Sequence, residues 1–132
     1  MFLNSLNNDQ RKSFLALATK MALADGRVAV QEVAILQELA VTFGHELDVP
    51  AEEVYGGINT APFDNRSSRA LTMMAMYFVA HVDEHLHIDE STVLVEVKEA
   101  FGFSDADAER LKAWAITEAE VFNAVNAFID ET

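Results

Sequence analysis

The sequence predicts an all-α domain, a compact bundle of about six to seven helices formed by two related helical-hairpin repeats. Three observations carry that expectation. Apolar residues recur at helical spacing throughout the chain. Only two prolines and five glycines punctuate 132 residues, and most of the glycines stand where an apolar stripe stops. The chain also matches itself at an offset of 58 without a gap. Asp25 then aligns with Asp83, Glu32 with Glu90, Leu36 with Leu94, Glu38 with Glu96, and Phe43-Gly44 with Phe101-Gly102. Each copy reads as helix, Asp-containing turn, two spaced aliphatics, Glu, helix, and a Phe-Gly stop. The halves span about residues 8–57 and 66–129 of a single domain covering 1–132.

The first helix is expected to start near Asn7 or Asn8, because Asn7 and Gln10 have the spacing of a capping box. It buries Phe14, Leu17 and Met21, with Ala18 and Ala24 beside them, and stops at Asp25-Gly26. A second helix runs from about Val30 to Phe43 and ends at Gly44. Pro50 opens a short third helix through Tyr55, proline being suited to a first helical turn. Residues 60–66 read as loop. The helix from about Ser67 to Val82 is apolar nearly all round, which marks it as central to the fold. A fifth helix covers about Asp89 to Phe101, with His87 available as its N-cap and Gly102 as its stop. Ser104 then caps the last helix, whose first turn is acidic. Its stripe of Leu111, Trp114, Glu118, Val121-Phe122, Val125 and Phe128-Ile129 predicts one long helix with Trp114 as a core anchor. Met73, Met74 and Met76 read as core filler. Lys98, Glu99, Arg110 and Lys112 read as a solvated face. Phe43 and Phe101 are expected to plug the junction between the halves.

Composition limits function. With 22 acidic against 9 basic side chains the net charge is −13, which disfavours nucleic acid and anionic membrane surfaces. A hydrophobic content of 51% excludes a disordered acidic tail. The absence of cysteine excludes disulfides, thiolate metal sites and thiol nucleophiles. Residues 1–8 carry no basic n-region and no long apolar run, so the sequence predicts no signal peptide, no membrane span and a cytoplasmic domain. No nucleophile elbow, phosphate-cradling glycine loop or His-Glu-x-x-His pair occurs, and an enzyme is not expected.

The informative constellation is Asp25…Glu32 and its copy Asp83…Glu90. Aspartate at a helix C-terminus faces the negative end of the macrodipole, so something must compensate it. Either each Asp accepts backbone N–H bonds within its own turn, or the four carboxylates converge and hold Ca²⁺, Mg²⁺ or Mn²⁺, which favour hard oxygen ligands. An EF-hand is excluded, since Arg27 and Ala29 would stand at ligand positions. The second turn adds His81, His85 and His87, imidazoles suited to Zn²⁺ or Ni²⁺, to a pH response or to a solvated turn.

At Ala22-Leu23-Ala24-Asp25-Gly26-Arg27-Val28…Glu32…Leu36 the chain resembles the TerB-like, tellurite-resistance family. His81-Val82-Asp83…Ile88-Asp89-Glu90…Leu94 and Phe101-Gly102-Phe103-Ser104 are similar to that family's second copy. The resemblance covers nearly the whole chain. It implies a compact helical fold with two related halves, acidic positions that bind metal, and stress-response proteins as partners. A related domain also precedes the J-domain of some membrane-tethered co-chaperones. Two departures bear on the turns: Ala29 stands where many relatives have Ser or Asp, and Glu84 replaces the second turn's glycine. The expected function is therefore a non-enzymatic module with a divalent cation on Asp25, Glu32, Asp83 and Glu90. The alternative is a pure interaction scaffold, a co-chaperone-like adaptor whose acidic residues only cap turns.

Overall fold

Four α-helices run through the described residues: α1 (Asn8–Ala24), α2 (Arg66–Val82), α3 (Thr92–Phe101) and α4 (Asp105–Asp130). The computed structural model describes residues 5–24, 54, 56–82 and 91–131. No strand occurs among them. The helices expected over 30–43 and 50–55 lie outside these residues, except Val54, which is helical and buried.

Helix starts follow local chemistry. The Asn7 N–H donates to Gln10 Oε1 at 3.0 Å and the Gln10 N–H donates to Asn7 Oδ1 at 2.9 Å, a reciprocal capping box. Asn65 does the same work for α2, its Oδ1 accepting from the Ser68 N–H at 2.7 Å. The helix expected from Asp89 opens instead at Thr92. Ser91 Oγ accepts from the Leu94 N–H, so the cap belongs to Ser91 rather than His87. Helix α3 ends at Gly102, whose φ of 78° suits a residue without Cβ. There the Phe103 N–H donates to Lys98 O and the Gly102 N–H to Glu99 O, a Schellman closure. Ser104 accepts from the Asp107 N–H and starts α4, which runs unbroken for 26 residues.

Helix α2 is central, as its all-round apolar pattern predicts. It packs on α1, α3 and, most extensively, α4. Thr72, Met73 and an unbroken run from Ala75 to Ala80 are buried, with Met74 packed half-buried at the core edge. In α1, Phe14, Leu17, Ala18 and Met21 are buried as expected, joined by Leu15 and Ala16.

Two expectations need correction. Trp114 is not a core anchor but 50% exposed, and Val121, Val125, Phe128 and Ile129 are also at least half exposed. The core side of α4 is Ala108, Leu111, Ala115 and Ala119, with Phe122 edge-on to Phe78 at 5.6 Å. Small residues let α4 approach α2 closely, and the bulkier stripe is turned away by roughly a quarter turn of helix. The second correction concerns the loop before α2. Phe63 is fully buried within it and meets Phe101 edge-to-face at 5.3 Å, while Phe101 meets Phe103 at 6.4 Å. Phe101 is buried against Phe63 and Phe103; Phe43, expected beside it at the junction of the halves, lies outside the described residues. Gln10 Nε2 donates to Pro62 O and Arg69 Nε to Phe63 O, which fixes the loop against α1 and α2.

Truncating Phe101 to Ala should cost about 3–5 kcal/mol in urea unfolding, and a loss below about 1 kcal/mol would show that the ring is not wedged. Asn7→Ala and Asn65→Ala should each cost about 1 kcal/mol, with Asn→Asp at either position close to neutral in the same assay.

Candidate functional site

Two of the helices, α1 and α2, start alike. The caps Asn7 and Asn65 stand 58 positions apart, the offset at which Asp25 aligns with Asp83. Equivalent positions along α1 and α2 are buried in both: Gln10 and Ser68, Phe14 and Thr72, Leu15 and Met73, Ala18 and Met76, Met21 and Val79. Helix α1 is described to Ala24 and α2 to Val82, the residues immediately before Asp25 and Asp83. Asp25, Glu32, Asp83, Glu90, His85 and His87 lie outside the described residues. His81 is placed, half-buried in the last turn of α2. Among the described residues no group of three His, Asp or Glu side chains is arranged to hold a metal ion.

A second cluster of charges is described in full, at the α3–α4 corner. The Schellman turn and the Ser104 cap swing Lys98 and Asp105 together, and Lys98 donates to the Asp105 carboxylate. Asp107, on the next turn face, accepts from Arg66 at 3.3 Å and lies 3.8 Å from Arg110. Lys112 pairs with Glu109. Aromatic faces complete the arrangement: Arg66 sits 5.5 Å from the centroid of Phe103, and Arg110 5.4 Å from that of Trp114. Between them opens a shallow cleft of about 220 Å³ lined by Arg66, Phe103, Asp107, Arg110 and Trp114.

This corner corrects the expectation of a uniformly solvated face. Side-chain exposure is only 23% for Lys98 and 18% for Lys112, because their aliphatic stems lie along the helices. Sequence reasoning missed the cluster because Arg66 and Asp107 are 41 positions apart and belong to no motif. Chemically, each carboxylate here already faces a cation. The corner offers two guanidinium planes and an indole, surfaces that suit the carboxylates and aromatic rings of a protein.

Comparison with protein-family models, with curated proteins and with solved structures returns no match. Among the described residues no helix is long and apolar enough to cross a membrane.

The hydrogen bond and the positive charge of Lys98 hold the Asp105 carboxyl below the ordinary aspartate value, against a small opposing effect of desolvation. A lowered folded value means the pair stabilises fully above the usual aspartate range and loses that contribution as pH falls through the folded value. Carboxyl NMR titration should place the Asp105 midpoint below that of a model peptide, and Lys98→Met should return it to the ordinary value.

Proposed function

We propose that the chain is a non-enzymatic, cytoplasmic helical module of TerB-like type. It holds a divalent cation through Asp25, Glu32, Asp83 and Glu90, and works with protein partners in the stress response. The observation that carries this reading is the equivalence of α1 and α2, which share an Asn cap and a buried register at the 58-residue offset. Two like helices delivering the chain to two like acidic turns is the pattern of a duplicated unit. Duplication turns one carboxylate pair into four, a donor set of hard oxygens that suits Ca²⁺, Mg²⁺ or Mn²⁺. Four carboxylates gathered in one region repel, and a dication relieves that repulsion, so binding and folding are linked. The second turn's histidines, His81, His85 and His87, would add affinity for Zn²⁺ or Ni²⁺ on that side.

Metal at about tenfold its Kd should stabilise the fold by about 1.4 kcal/mol, a Tm rise of roughly 4 °C for a domain of this size. Asp25→Ala combined with Asp83→Ala should abolish that rise while leaving the metal-free Tm unchanged or higher. A Tm that does not move with millimolar Ca²⁺, Mg²⁺ or Mn²⁺ overturns the cation reading.

A second reading is favoured by the exposed side of α4. There the chain is an interaction scaffold, a co-chaperone-like adaptor whose acidic turns only satisfy their own backbone amides. An unmoved Tm together with protein binding through α4 would select it.

A further inference from the structure

We draw no further inference here: the strongest candidate, the exposed apolar surface patch of α4 formed by Trp114, Val121, Val125 and Phe128, carries nothing because nothing in the structure shows what covers it.

Discussion

Helix α2 has scarcely any side to turn toward water once its first turn is past. From Thr72 to Ala80 every residue is buried except Met74, which is itself packed at the core edge. Burying a helix on all sides requires neighbours on all sides, and hydrophobic burial at about 25 cal/mol per Å² is the driving force for collecting them. Helix α1 covers one flank with Phe14, Leu15, Ala18 and Met21, α3 another with Val93, Leu94 and Val97, and α4 lies along a third. The cap residues, the loop and the charge clusters all occupy positions left to them by that requirement.

Local turn chemistry then decides where each neighbour begins and points. The Asn7–Gln10 box does more than start α1, because Gln10 also reaches Pro62 O and draws in the loop that carries Phe63. The ring of Phe63 sits edge-on to Phe101 in the last turn of α3, so the loop closes the core at the end where α3 and α4 meet. At that corner the left-handed Gly102 and the Ser104 cap leave only three residues, 102–104, between the helices. That close turn brings Lys98 within reach of Asp105 and sets Phe103 under Arg66. A corner of paired charges inside a chain of net charge −13 thus follows from a helix stop, a cap and an aromatic wedge.

The two functional readings draw on different ends of the helices. The proposed cation binding concerns Asp25 and Asp83, which follow the last described residues of α1 and α2. Protein contact concerns the side of α4 that takes no part in the core and exposes Trp114, Val121, Val125 and Phe128. A module can use both, because the two regions share no residue and a dication would alter charge far more than it would alter apolar surface.

How much was legible depended on whether the cause was local. The capping box at Asn7, the caps at Ser104 and Gly102, and the buried stripe of α1 are set by residues within a turn of one another, and all follow from the sequence. The four paired carboxylates can be named from spacing, but whether they meet depends on how the halves pack, which spacing does not encode. The start of α3 falls later than the sequence suggests because the Ser91 hydroxyl accepts from the Leu94 N–H three residues on, the spacing at which a cap works. Phe63 escaped notice because a lone aromatic in a loop has no period to reveal it.

Helix α4 shows the division most clearly. Its existence, length and one bulky apolar stripe were written in the amino-acid order, since helical periodicity is a property of the chain alone. Which side faces inward was a matter for the tertiary structure. Close approach to α2 favours Ala115 and Ala119 over bulkier side chains, so the face richer in hydrophobic residues was left outside.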